Sequence, residues 1–292
     1  MSLVPFDQRD GWIWLDGEFV PWRDARIHVL THGLHYGSCV FEGQRIYGGE
    51  VFKLSTHTQR LFRSAELLDI RIPFTPEEID AACRESIGKA GLEDAYMRPF
   101  VWRGSDQLSV AAQKNRIRTA VAVWPWDSYF DPEEKKRGIR LDHAIYRRPA
   151  PDTAPYEAKA AGLYMIATLS KHAAEAKGYA DALMLDYRGY VAEATGANVF
   201  FVRDGAVHTP TPDCFLNGIT RQTVIGLAQD AGLEVIERHI QPDELSTFNE
   251  CFLTGSAAEV TPVREIGEHA YTPGNVSLSL MDAYARLVRR QA

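Results

Sequence analysis

The sequence predicts a mixed α/β (α+β) protein of two domains, and three observations lead there. At 292 residues the chain is long for a single hydrophobic core. Runs of β-branched and aromatic residues are interspersed with stretches whose apolar residues fall at helical spacing. Between Pro125 and Gly138 lies a stretch rich in proline and charge, the expected boundary. The division is therefore residues 1–124, a linker at 125–138, and a larger part at 139–292. A composition of 45% hydrophobic and 24% charged residues is ordinary for a globular protein, and a net charge of −7 argues against nucleic acid or anionic membranes as partners. No apolar run approaches the ~20 residues that span a bilayer, and Met1 to Asp10 do not read as a signal peptide. The expectation is a soluble cytoplasmic protein. Cys39, Cys83, Cys214 and Cys251 form no C-x-x-C pair and read as reduced, half-buried thiols.

Taken in order, Trp12 to Trp22 reads as a hairpin about Asp16-Gly17. Ile27 to Gly43, rich in glycine and aromatics, reads as a turn leading into a strand. Its His28, His32 and His35 lack a carboxylate at ligand spacing beyond Glu42, so no metal is expected. Leu54 to Leu68 is a helix, with Leu61, Ala65 and Leu68 in phase and Arg60 and Arg63 upon it. Thr75-Pro76-Glu77-Glu78 caps a second helix that runs to Ala90 and stops at Gly91. Strands are expected at 96–102 and 117–124. Beyond the boundary, a proline-laden loop from Arg147 to Pro155 delivers Lys159, and a helix follows from about Gly162 to Lys177. Asp181 to Val202 reads as a hairpin of two apolar strands about 186–189, with Glu193 on the second. Gly218 opens another helix, and Leu278 to Arg290 forms the last.

Three features carry chemistry. Lys159, flanked by Ala and Gly, has no acidic neighbour in sequence. For an arbitrary lysine a surface position is the ordinary reading. A buried one, however, loses its charge readily and can form an imine with a carbonyl. Glu193 is an acid on an otherwise apolar strand, where a carboxylate can face a pyridine nitrogen and keep it protonated. Asn217-Gly218-Ile219-Thr220 at a helix start offers backbone N–H groups and a hydroxyl to a phosphate, though Thr220 also suits a plain cap. No G-x-x-x-x-G-K-[ST] or G-x-G-x-x-G run competes. Together the three favour pyridoxal 5′-phosphate.

The runs Thr31 to Gly37 with Val40-Phe41-Glu42-Gly43, Ala158 to Gly162, Gly189 to Glu193, Gly218 to Arg221 and Thr254 to Val263 resemble the class IV aminotransferases. These are fold-type IV pyridoxal-phosphate enzymes, and the likeness is greatest to the bacterial branched-chain-amino-acid aminotransferases. The resemblance spans nearly the whole chain. It implies a D-amino-acid-aminotransferase-like fold of two α/β domains with the cofactor between them, in a homodimer or larger assembly. It implies a transfer of the amino group between leucine, isoleucine or valine and 2-oxoglutarate. Lys159 would be Schiff-base partner and proton carrier, Glu193 would face the pyridine nitrogen, and Tyr164 the phenolic oxygen. Arg60, Ile219, Thr220 and Ser256 would hold the phosphate, with Leu216 and Asn198 lining the ring. Phe41, Tyr129, Tyr164 and Tyr36 (the last from a partner subunit) would box the side chain. Tyr96, Ala257 and Ala258 would take the α-carboxylate, and Arg98 the distal carboxylate of glutamate. Leu163 stands where many relatives carry Asn, Asn217 where many carry Pro or Asp, and Ser256 where Thr is commoner. Rival readings are a D-amino-acid or (R)-amine transaminase, aminodeoxychorismate lyase, and a cofactor-binding protein without turnover.

Overall fold

A computed structural model describes residues 4–126 and 132–290. They form two compact units. The first holds the described residues up to 126 together with Ala158–Gly162, and the second holds those from 132 to 157 and Leu163–Arg290. Lys159 thus belongs to the first unit, although most of that unit precedes it in sequence.

The first unit opens with the expected hairpin, β1 (Trp12–Leu15) and β2 (Glu18–Pro21). A short helix, α1 (His32–Tyr36), then precedes β3 (Cys39–Phe41), where the sequence reads only as a turn. β4 (Gln44–Tyr47) and β5 (Glu50–Val51) lead into α2 (Leu54–Leu67) and α3 (Pro76–Ala90). The expected cap of α3 is reciprocal: the Thr75 hydroxyl accepts from the Glu78 N–H, and the Glu78 carboxylate accepts from the Thr75 N–H. β6 (Ala95–Arg103) and β7 (Ile117–Pro125) complete an antiparallel sheet in the order β2-β1-β7-β6-β4-β5, with β3 also on β6.

One ladder hydrogen bond is missing from this sheet beside the site. Pro99 of β6 offers its carbonyl to the Glu42 N–H (2.8 Å) and has no N–H to give back. The chain beside β6 is divided there into β3 and β4, with Glu42 and Gly43 between them, and both halves keep the same register on β6.

In the second unit α4 (Pro132–Arg137) lies inside the expected linker and leads to β8 (Ile139–His143). α5 (Met165–Glu175) follows a single 3-10 turn at Ala161–Tyr164. The stretch expected to form two strands forms three: β9 (Asp181–Leu185), β10 (Val191–Ala194) and β11 (Asn198–Arg203). A tight turn at Gly196, closed by the Ala194 N–H on the Ala197 carbonyl (2.8 Å), divides the last two. β12 (Ala206–Pro210), α6 (Ile219–Asp230), β13 (Val235–Arg238), β14 (Glu250–Gly255), β15 (Glu259–Ile266) and β16 (His269–Ala270) follow. The closing helix, α7 (Asn275–Arg290), begins three residues before the expected Leu278. There the Glu250 carboxylate accepts the N–H groups of Gly274, Val276 and Ser277, a cap delivered from 24 or more residues away.

The strand order is β10-β9-β8-β15-β14-β11-β12-β13, and pairing of β10 with β11 closes six of the strands into a ring. Leu141, Leu183, Val199, Phe201, Leu253 and Val263 are among the residues of its packed core. No helix among the described residues is long and apolar enough to cross a membrane.

Candidate active site

In the first unit Lys159 is pinned by its backbone. Its carbonyl accepts the Phe41 N–H (3.1 Å), its N–H donates to Ser64 Oγ (3.0 Å), and Ala160 bridges Val40. The side chain is half-buried, with Nζ 4.9 Å from the centre of the Phe41 ring.

The Arg98 guanidinium lies over the same ring, also at 4.9 Å, and over Tyr96 and Trp124 at 5.4 and 5.8 Å. Tyr96 and Arg98 alternate with Met97 along β6 and so share one face of the sheet. Arg98 Nη2 donates to the Tyr96 hydroxyl at 3.3 Å. Among the described residues no carboxylate pairs with Arg98, and its Nε is buried without a partner. A cation held by aromatic faces and lacking an acid is suited to an anionic ligand. Trp124 and Trp126, with ring centres 5.0 and 4.7 Å from Tyr96, extend this aromatic wall; from sequence Trp124 reads only as a strand residue.

Gly43 makes room for the phenol. A Cβ there would lie 2.0 Å from the Tyr96 hydroxyl, and Tyr96 is buried at 6% exposure. On the helix-packed side of the sheet Arg60 is joined to Glu42 by two hydrogen bonds of 2.7 Å, and His57 Nδ1 reaches the same carboxylate at 2.7 Å. Sequence reasoning assigns neither Glu42 nor His57 this role. Tyr36 is half exposed on α1 and stacks on His32 at 4.5 Å. Tyr129 lies outside the described residues.

The three histidines hold the turn itself. His28 Nδ1 accepts the Leu30 N–H, His32 bonds Ser38 Oγ and the Ser109 carbonyl, and His35 Nε2 bonds the Val29 carbonyl.

In the second unit Glu193 sits at the seam that closes the ring, paired with Asn198. A bulge between Val191 and Glu193 resets the alternation: Val191 and Ala194 enter the core, while Glu193 turns to the other face. Glu193 is 9% exposed, and its carboxylate accepts from Asn198 Nδ2 (3.2 Å). Arg148 Nε stands 3.4 Å from its other oxygen. Arg148, from the proline-laden loop, carries no sequence signal beyond its charge.

Asn198 also donates to the Leu216 carbonyl (3.0 Å) and accepts the Gly218 N–H (3.2 Å). One amide therefore ties the acid, Leu216 and the start of α6 together. Gly218 is required for this closeness, since a Cβ there would lie 2.3 Å from Asn198 Oδ1. Ile219 and Thr220, both buried, open α6, where the first N–H groups have no partner within the helix. Arg221, 1% exposed, braces the loop before them through Asn217, the Pro210 carbonyl and Glu237. Ser256, Ala257 and Ala258 form the turn between β14 and β15. Tyr164, half-buried, stands just before α5.

All four cysteines are free, three of them buried. Asp186, Asp213 and Cys214 are the one cluster of metal-ligating types among the described residues. Arg188 already bridges both carboxylates (2.6 and 2.8 Å), and burial pushes the Cys214 thiol up to about 12, so the cluster reads as a braced turn.

Comparison with known proteins places these features. The family signature described as "Amino-transferase class IV" matches residues 39–266. The branched-chain-amino-acid aminotransferase of Pseudomonas aeruginosa is 42% identical over 287 residues, covering 96% of this chain and 94% of that one. Among solved structures, a T.th. branched-chain amino acid aminotransferase with pyridoxamine 5′-phosphate superposes with a TM-score of 0.94 at 39% identity, over 97% and 96% of the two chains. The same enzyme complexed with N-(5′-phosphopyridoxyl)-L-glutamate gives 0.92 at the same identity and coverage. The branched-chain amino acid aminotransferase of Escherichia coli superposes with a TM-score of 0.93 at 35% identity, again over 97% and 96%.

Proposed function

The chain belongs to the class IV aminotransferases, and from that footing we propose that it transfers the amino group of leucine, isoleucine or valine to 2-oxoglutarate, using pyridoxal 5′-phosphate. The residues fit that cofactor. A buried carboxylate, Glu193, is oriented by Asn198, and α6 presents its first N–H groups behind a glycine that only just clears Asn198. When bound, the cofactor supplies the electron sink for the bond broken at the substrate Cα.

The chain's own residues do the rest. Lys159 would hold the cofactor and, as base, carry the proton between the substrate Cα and the cofactor's C4′. Glu193 serves the pyridine nitrogen and Tyr164 the phenolic oxygen. Arg60, Ile219, Thr220 and Ser256 hold the phosphate, with Leu216 and Asn198 beside the ring. Phe41, Tyr129, Tyr164 and a partner's Tyr36 exclude water around a branched side chain. Tyr96, Ala257 and Ala258 bind the α-carboxylate. Arg98 receives the distal carboxylate of glutamate, so one site accepts both an apolar and an anionic side chain. The enzyme acts in the cytoplasm as a homodimer or larger homo-oligomer.

The observation that carries this reading is Phe41, whose ring lies beside both the Lys159 amine and an arginine that has no acid partner among the described residues. The purified protein should show a visible cofactor band that L-leucine or L-valine bleaches and 2-oxoglutarate restores. Lys159→Ala should lower turnover at least about 100-fold, the lower end of what a positioned general base contributes. Undiminished turnover in that variant, or a band moved by D-alanine or (R)-1-phenylethylamine and not by L-leucine, would refute it.

A further inference from the structure

The buried face of α2 carries three residues that ordinary packing does not require to be polar: His57, Thr58 and Ser64. Ser64 anchors the Lys159 backbone, and Thr58 reaches Asp80 on α3. His57, 2% exposed, points to Glu42, which is wholly buried in the gap between β3 and β4. Glu42 accepts from Arg60 twice, Nε to Oε1 and Nη2 to Oε2, both at 2.7 Å. An ionised carboxylate only accepts, so His57 Nδ1 carries the hydrogen and braces one oxygen while Arg60 spans both.

We propose that Glu42, backed by His57, is a positioning residue that orients the Arg60 guanidinium toward the cofactor phosphate. This rests on the assignment of Arg60 to that phosphate. A free arginine side chain spends its rotamer entropy when it meets a ligand; one gripped along an edge by a bidentate carboxylate has spent it already. The grip fixes the plane of the guanidinium and hence the direction its other edge faces. A carboxylate is otherwise an expensive way to fill a core, since an apolar residue of similar volume packs there without desolvating a charge. Ser64 lies one helical turn beyond Arg60, so the same rigid helix sets the distance between the Lys159 backbone and the arginine.

The test follows release of cofactor from the holoenzyme, read as decay of the visible band after dilution into a buffer containing an aldehyde scavenger. It is run on the parent, Glu42→Gln, His57→Leu, Arg60→Lys and the Glu42→Gln/Arg60→Lys double variant. Binding of pyridoxal, which lacks the phosphate, is measured beside it. Glu42→Gln and Arg60→Lys should each speed release of pyridoxal 5′-phosphate by about tenfold, as loss of a ligand's outer partner commonly does. The double variant should be no worse than either, and pyridoxal affinity should not change. His57→Leu should show a smaller loss of the same kind and stands in should Glu42→Gln not fold. Normal release from Arg60→Lys would overturn the phosphate assignment and the proposal with it. Fast release from Arg60→Lys but normal release from Glu42→Gln and His57→Leu would overturn the proposal alone. Equal losses for pyridoxal and its phosphate would make the cluster merely structural.

Discussion

Glu42 and His57 titrate where water scarcely reaches. Burial alone would raise the Glu42 carboxyl, but the charge and hydrogen bonds of Arg60, with those of His57, hold it well below the usual carboxylate range. Burial pushes the His57 imidazole down, and Glu42 offsets only part of that. Each group binds its proton more weakly in the folded chain than in the unfolded one. Each therefore contributes stability that is present at neutral pH and lost on acidification, from about pH 6.5 for His57 and about pH 4.3 for Glu42. His208, lowered mainly by burial, has the same sign, so removing His57 should reduce the slope without abolishing it. The expected result is that the melting temperature of His57→Leu varies less than the parent's between about pH 6.5 and 5. Parallel curves in that interval would contradict it. At this scale the sequence was half legible. Lys159 and Glu193 stood out because a lysine amid small residues and an acid on an apolar strand are locally odd. His57 and Ser64 were hidden because they occupy the same helical phase as Leu54, Leu61 and Ala65. A polar residue in an apolar phase was the available signal.

Strands, more than helices, decided where side chains point. One register on β6 runs from Cys39 to Ile46, across the hydrogen bond that Pro99 cannot make, so the pleat itself puts Glu42 on the side of α2 and Gly43 on that of Tyr96. Gly43→Ala must displace a buried phenol that Arg98 also contacts. The variant should keep its visible cofactor band yet lose about 10- to 100-fold in kcat/KM for L-leucine, the scale on which a 1 Å misplacement is felt. An unchanged kcat/KM would mean that the phenol's position does not matter to the substrate. The bulge ahead of Glu193 and the turn at Gly196 do re-aim side chains, and neither is visible in an unbroken apolar run. Helices were easier. The caps at Thr75 and Gly91 lie within a few residues of the ends they set, whereas Glu250, which caps α7, is remote in sequence.

At the scale of the molecule, the first unit exposes apolar residues that a lone chain has no reason to keep in water. Leu34 (65%) and Tyr36 lie on α1, Val29 (71%) just before it, and Val110 (86%) in the loop that His32 ties to the same turn through Ser109. Sedimentation should therefore find two or more of the 32.8 kDa chains together. The Leu34→Glu/Val110→Glu pair should shift the protein toward a single chain; a monomeric parent would dismiss the assembly. The class of enzyme was determined by sequence alone, through the family resemblance that its ordered motifs carry; an amine for the aldehyde, an acid for the ring and a helix start for the phosphate are local requirements, and by themselves they only favour the cofactor. Only the tertiary structure decided that Arg60 is gripped by Glu42 and His57, that Arg148 stands beside Glu193, and that Phe41 serves both Lys159 and Arg98. Those meetings depend on strand register and on breaks in it, and a shift of one residue would send each side chain to the opposite face.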